Sequence, residues 1–448
     1  MRHGLALFSV ALAIVVAACG SPAAPVAPTA STASTSSTPA TATPAAFEPG
    51  DATETLAAAA KAYEEGDRPA FLKLAEKAAA LQPGRPRAVY YLAAAYALNR
   101  RSDDAVHTLE RLVRLKTYFD IAAEHDFDSL HAHPGFTRAK TDLDALLRTR
   151  TAASKVAFRL HEKDFLAEGI ARDDATGDVF VSSVHRRKIV RVAADGTAKD
   201  FTSEADGLLA VLGLALDPAR HVLWACTTAV PEMRGFVKAD DGKAALVAVD
   251  LASGRVTRRL SLAGPGPHNC NDVFVDDDGA VLVSDAAAGE LLVLAKDADV
   301  LASLATGFRS PQGIARVGGA LYVADWSRGL ARVDRGAHPA RVRWLEAPDD
   351  VLLPGTDGLR AYKGKLLAIQ NGAEPARVVE LAVTGDTVKL SRVLEWNHTE
   401  FHEPTLGVVV GTDLVYVANS QWGAFDRAGK IWPDERLFEP TVLRLGLE

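Results

Sequence analysis

NDVFVDDDGAVLVSDAA, residues 271–287, reads as a short apolar strand, a polar reversal at Asp276-Asp277-Asp278-Gly279, and a second apolar strand ending on Ser284-Asp285. Alternating valines on either side of an Asp/Gly turn are the pattern of a β-hairpin. The stretch opens on Asn271-Asp272, an amide and a carboxylate side by side, which fits either a chain reversal or a ligand site. Five further stretches align with it: EGIARDDATGDVFVSSV from Glu168, LGLALDPARHVLWACTT from Leu212, QGIARVGGALYVADWSR from Gln312, DGLRAYKGKLLAIQNG from Asp357 and LGVVVGTDLVYVANSQ from Leu406. Anchored on Gly169, Gly213, Asp272, Gly313, Gly358 and Gly407, the units recur roughly every 40 to 50 residues, with one longer interval, which is the length of a four-stranded propeller blade. The spacing predicts an all-β six-bladed propeller over residues 155–448, preceded by a small all-α domain.

KVAFRLHE, from Lys155, precedes the first unit, and only TVLRLGL follows the last. The N-terminal strand is therefore expected to complete the final blade and hide the edges that an open ring would expose. In such a ring the innermost strands begin at one end of a central tunnel, so the residues that open the units face a common space. These are Glu168, Leu212, Asn271, Gln312, Asp357 and Thr405. A turn explains any one of them but not their recurrence at matching positions, whereas Asp276-Asp277-Asp278-Gly279 is turn chemistry.

The chain starts MRHGLALFSVALAIVVAACG, a basic beginning, an apolar run from Gly4 to Val16 too short to span a bilayer comfortably, and small residues before Cys19. Residues 1–18 read as an export signal. VVAAC resembles a bacterial lipobox, which makes Cys19 the lipidated first residue of an envelope protein on the periplasmic side, with Gly20 favouring the outer membrane. Residues 19–50 are Ala, Pro, Ser and Thr almost throughout and form a disordered tether. A net charge of −7 without a basic block leaves nucleic acid nothing to bind.

Residues 51–150 carry apolar positions at helical spacing. Two stretches superpose with a period of about 34 residues, broken at Gly66-Asp67 and at Arg100-Arg101, and with Leu92, Ala93, Tyr96, Ala105 and Leu109 they resemble the tetratricopeptide repeat. A peptide partner, a structural prop and a dimerisation surface are all open for this segment. His125, His131, His133, His398 and His402 read as structural residues rather than metal ligands. Cys226 and Cys270 give no disulfide framework; a bond between them is open, with buried free thiols the favoured reading.

Residues 156–447 resemble the regucalcin/gluconolactonase group of six-bladed propellers, through LAEGIA, CNDVFV and TDGLRA. The resemblance implies a divalent cation, calcium foremost, held by Glu168, Asn271 and Asp357, with Gln312 where the group has a second Asn. It implies that Asp357 also accepts a proton from the attacking water in lactone or ester hydrolysis. The substrate-holding Arg of many members is Asn269 here; His268 either supplies part of that role or caps the loop. Two carboxylates and two amides are a plausible oxygen sphere for calcium, and the lack of His or Cys among the openers argues against zinc.

Loops 229–243 and 420–440 open on the same face as the strand starts and either wall the tunnel mouth or decorate the outer rim. The sequence thus supports two functions: an envelope-anchored, metal-dependent hydrolase of a small-molecule lactone or ester, or a non-catalytic binding or scaffold lipoprotein that engages a protein through its helices.

Overall fold

The computed structural model describes residues 51–336, 340–426 and 429–448. The export signal, Cys19 and the tether fall outside the described residues. Among those described, no helix is long and apolar enough to cross a membrane.

Five helices come first: α1 (Ala52–Glu64), α2 (Arg68–Leu81), α3 (Pro86–Leu98), α4 (Ser102–Arg114) and α5 (Pro134–Arg148). The side chains of Asp51 and Asp67 accept from the N–H groups of Glu54 and Ala70 and so start α1 and α2. Gly66, at φ 77°, makes the break between them without a Cβ clash. The helices approach closely because alanines lie between them; Ala59, Ala75, Ala88 and Ala95 are fully buried, and the Phe71 ring meets Tyr63 and Tyr91 edge-on.

Six four-stranded antiparallel sheets follow. Their innermost strands, which number the blades 1 to 6, are Ala167–Arg172, Ala210–Asp217, Cys270–Val275, Pro311–Val317, Thr356–Tyr362 and Gly407–Val410. Middle strands are sandwiched between neighbouring blades and are apolar on both faces, whereas the outermost strand of blade 2, Val256–Ser261, alternates part-buried and exposed residues. Blade 6 is completed by Lys155–Arg159, which pairs with Thr441–Gly446. The ring is closed by the strand that the sequence assigned to that task.

Two regularities aim side chains at the tunnel. In blades 1 to 5 the pairing of innermost and second strands shifts register at one place, between Ala167 and Ile170, Val211 and Leu214, Cys270 and Val273, Pro311 and Ile314, and Thr356 and Leu359. Inside those gaps stand Glu168, Leu212, Asn271, Gln312 and Asp357. A bulge frees a residue from the ladder and re-aims its side chain, so the Asn271-Asp272 pair is neither a turn nor an ordinary strand start. The adjacent glycines let neighbouring innermost strands touch: a Cβ on Gly169 would lie 2.2 Å from the Leu212 carbonyl, and one on Gly358 2.4 Å from that of Thr405. Thr405 Oγ1 donates to the Glu168 carbonyl at 2.9 Å and closes the circle.

The second regularity, in blades 3, 4 and 5, is a polar residue at the end of the second strand that ties down the chain entering the blade. Asp285 accepts from the N–H of Asn269 at 2.9 Å, and Asp325 from those of Arg309 and Ser310 at 2.6 and 3.0 Å. Gln370 Nε2 donates to the Leu352 carbonyl at 2.7 Å. Unsatisfied loop amides and carbonyls would be costly at this depth, which explains why these buried positions are polar.

Cys226 and Cys270, expected to be free thiols, are instead joined in a disulfide. Cys226 lies on the second strand of blade 2 and Cys270 opens the innermost strand of blade 3, and the ring brings their Cα atoms to 5.0 Å across a sequence separation of 44. Only blade-to-blade packing creates that proximity, which is why spacing along the chain did not reveal it. For a loop of this size, chain entropy predicts a loss of about 3–4 kcal/mol on removing the link. The expected result for Cys226→Ser with Cys270→Ser is a lower urea midpoint with a steeper slope, because the unlinked unfolded chain exposes more surface.

The helical region is seated on the face where the innermost strands begin, over blades 4 and 5. Arg377, at the start of the third strand of blade 5, is 4% exposed; its guanidinium donates to the carbonyls of Lys116 and Leu115 at the C-terminus of α4, at 3.0 and 3.4 Å, while Nε donates to Gln370 Oε1 at 2.8 Å. A cation there satisfies carbonyls that the helix leaves open. Tyr118 N donates to the Glu374 carbonyl at 2.6 Å, and Trp396 Nε1 to that of Leu146 at 3.1 Å. The chain leaving α5 then runs along blade 5: Thr151 bridges to Trp396, and the N–H groups of Ala153 and Ser154 donate to Glu395 Oε1. Arg377→Ala should cost roughly 2–4 kcal/mol by stranding those carbonyls, and faster limited proteolysis of the helices would report it.

Candidate active site at the tunnel mouth

Glu168 and Asp357, from blades 1 and 5, are each 5% exposed. Neither takes part in an ion pair among the described residues. Both donors to Glu168, Ser420 Oγ at 2.7 Å and Trp422 Nε1 at 2.8 Å, reach Oε2, which leaves Oε1 open. Asn371 Nδ2 donates to Asp357 Oδ2 at 2.6 Å, while Asp357 Oδ1 is buried without a partner. Asn371 is itself fixed by Trp326 Nε1, which donates to its Oδ1 at 3.0 Å.

The electrostatics follow from this burial. Desolvation pushes the Glu168 carboxyl well above the usual range, and the nearby Asp357 adds to the rise. Desolvation likewise raises Asp357 to about 7, against the Asn371 hydrogen bond and with help from Asp272 and Glu403. Glu403, in the loop leading into blade 6, is raised by its own burial while accepting from Gly423 N at 3.2 Å. Asp272 is already paired, its Oδ2 lying 3.1 Å from Nη1 of Arg360 on the innermost strand of blade 5. The mouth thus concentrates buried negative charge, and the Arg360 guanidinium beside it is already engaged by Asp272.

The other expected site residues fall as follows. Asn271 is 8% and Gln312 4% exposed. Asn271 Nδ2 donates to Gln312 Oε1, and Gln312 Nε2 to Ser310 Oγ at 2.9 Å, so the two amides are tied together with Asn271 Oδ1 left over. His268 Nδ1 donates to Asp285 Oδ2 at 2.6 Å; its Nε2 and the Asn269 Oδ1 are buried without partners. His133 caps α5 by accepting from Gly135 N, and His398 accepts from Glu400 N. Among the described residues no three His, Cys, Asp or Glu side chains form a metal-holding group, so a cation here depends on the amides completing the set.

Loops 229–243 and 420–440 meet over blade 1. Met233, Trp422 and Ala229 share one buried cluster with Leu166 and Leu212, with Phe236, Phe425 and Ile431 packed against it. His185, between them, donates from Nδ1 to the Glu232 carbonyl at 2.6 Å, and its ring centroid lies 5.9 Å from that of Phe425. A cavity of about 660 Å³ opens at the other end of blades 3 and 4, where Asp276 is already paired with Arg316 and Arg335.

Ser420, Trp422, Asn371, Trp326 and Glu403 were not singled out as ligand-shell residues from the sequence, although Trp422 was placed in a mouth loop. A signal existed: Trp326, Asn371 and Ser420 each directly follow a polar residue at or just past the end of a second strand, Asp325, Gln370 or Asn419. That register lies beside the bulged opener of the same or the adjoining blade.

No family model matches the chain, and no curated protein does. Among solved structures it is similar to a gluconolactonase from Xanthomonas campestris, at 16% identity and a TM-score of 0.46 over 66% of this chain and 95% of that one. It is similar to a luciferin-regenerating enzyme at 13% identity and a TM-score of 0.45, over 66% and 95% of the two chains. The PQQ-bound aldose sugar dehydrogenase from Streptomyces coelicolor stands at 15% and 0.45, over 66% and 98%. At this distance the likenesses carry no chemistry.

Proposed function

We propose that the chain is a metal-dependent hydrolase of a lactone or small ester, anchored in the bacterial envelope through Cys19. One observation carries the reading: two buried carboxylates from separate blades face the tunnel with open oxygens and no cationic partner. Unpaired buried carboxylates at a mouth, raised by burial and by one another, are the condition under which an active site tunes an acid or a base. The donor set of Glu168, Asp357, Asn271 and Gln312 is all oxygen, and the orphaned Asp357 Oδ1 lacks what a hard cation such as calcium would supply, so the residues present fit such an ion.

When bound, the cation would polarise the carbonyl of the lactone or ester and stabilise its developing negative charge. Everything else is the work of this chain. The Asp357 carboxylate holds the attacking water and takes its proton, while Asn371 keeps it in place through Oδ2. The hydroxyl adds to the carbonyl carbon, the ring C–O bond breaks, and Asp357 returns the proton to the departing alkoxide, which stays attached in a lactone as a new hydroxyl. Trp422 holds Glu168 and closes the blade 1 side against bulk water.

Metal analysis of the purified protein, with a screen of γ- and δ-lactones and small aryl esters, tests the reading. Binding of a divalent ion and turnover lost in Asp357→Ala are expected; a wild type that binds no divalent ion removes the basis of the proposal.

A further inference from the structure

The helical region brings a cation to the mouth with nothing to neutralise it. Arg85, at the N-terminus of α3, is half-buried, and its Nη1 donates only to neutral oxygens, Thr53 Oγ1 at 2.8 Å and Gln82 Oε1 at 3.3 Å. Burial pushes its guanidinium down to about 10, and the neighbouring Arg87 and Arg309 push the same way. Arg87 and Arg309 have no side-chain hydrogen bond or ion pair among the described residues. The acids within electrostatic reach of Arg85 are Asp51 and Asp325, and both are committed elsewhere. Asp51 caps α1. Asp325 accepts four backbone N–H groups, those of Arg309 and Ser310 on Oδ2 and those of Ser327 and Arg328 on Oδ1.

The position of this surplus gives it meaning. Arg309 stands three residues ahead of Gln312, on the chain entering blade 4, and the intervening Ser310 accepts from Gln312 Nε2. It occupies in blade 4 the register that His268 occupies in blade 3. Arg87 of the helical region and Arg309 of the chain entering blade 4 thus both lie within electrostatic reach of Arg85, where the helices sit over blade 4. Planar guanidinium forks suit the oxygens of a carboxylate or phosphate. They also oppose the negative charge deeper in the tunnel, so that an anionic group stays at the rim while the neutral carbonyl end goes in.

We propose that Arg85, Arg87 and Arg309 form an oxyanion-recognition site that selects substrates carrying a carboxylate or phosphate, with the helical region as its specificity element. The reacting end of such a substrate rests on the hydrolase reading; the anion site does not. The test compares γ-butyrolactone with its ring-carboxylated counterpart, and titrates glutarate and inorganic phosphate by calorimetry. For Arg85→Ala and Arg309→Ala, the ratio of kcat/KM for the carboxylated over the neutral lactone is expected to fall at least about tenfold. The loss should lie mainly in KM, and Arg85→Lys should restore part of it. Glutarate or phosphate binding should weaken by a similar factor. Equal anion binding by the wild type and both alanine variants overturns the proposal, and Arg309→Ala, outside the helices, keeps the test valid if Arg85→Ala unfolds them. If neither lactone is turned over but anion binding still depends on Arg85, the hydrolase reading falls and the anion site stands.

Discussion

Asp357→Ala is expected to lower lactone turnover by roughly 10²- to 10⁴-fold, the range a positioned general base supplies, with the ring left intact. The substitution removes a carboxylate oxygen at the mouth that is both buried and unpartnered, and it leaves Asn371 held by Trp326. Asp357→Asn separates two roles: it keeps the shape and an oxygen for Asn371 but cannot accept a proton, so its turnover should be as low as that of the alanine variant. Glu168→Gln should behave otherwise. It keeps the contact to Ser420 and Trp422 through one oxygen and gives up charge alone, so its defect should be relieved by raising the concentration of divalent cation. Rescue of Asp357→Asn by cation alone would contradict the assignment of the base.

The second large effect is on stability against pH. Raising a carboxyl from 3.8 to about 7 on folding means that the folded chain holds this proton more tightly than the unfolded chain. Its contribution is fully present below the unfolded value and is lost as pH rises through about 7, at a cost on the order of 4 kcal/mol. Glu168, shifted in the same direction, adds to the loss. In chelator, Asp357→Asn should therefore be more stable than the wild type at pH 8, with the difference shrinking toward pH 4. Calcium should reverse this, since an ion bound to the ionised pair stabilises the folded form by mass action. The measurement is the thermal midpoint of both proteins at pH 4, 6 and 8, with chelator and with calcium; a constant difference across pH would show that Asp357 carries no such strain.

The architecture was legible because each blade repeats its own instructions: valine alternation, a polar reversal and a glycine where the next blade touches. Blade 6 departs from that pattern. Its opener, Thr405, precedes Gly407 by two residues rather than one, and the contacts of Gly358 and Glu168 with Thr405 mark it as equivalent. Glu168, Asn271 and Asp357 could be picked out because the bulge that aims each one sits at a fixed place in its repeat. Trp422, Glu403 and Asn371 lie in loops that obey no such period, and their partners are set by closure of the ring. The Cys226–Cys270 link was hidden for the same reason, as was the seat of α4 on Arg377, since both depend on which surfaces meet after folding.

The stretch from Thr149 to Ser154 has a mechanical consequence. It is fastened to Trp396 and Glu395 of blade 5 immediately before it becomes the strand that seals blade 6. No free hinge therefore separates the helices from the ring, and swinging them aside would pull open the seam on which the whole circle depends. The helices act as a fixed jamb beside the tunnel mouth.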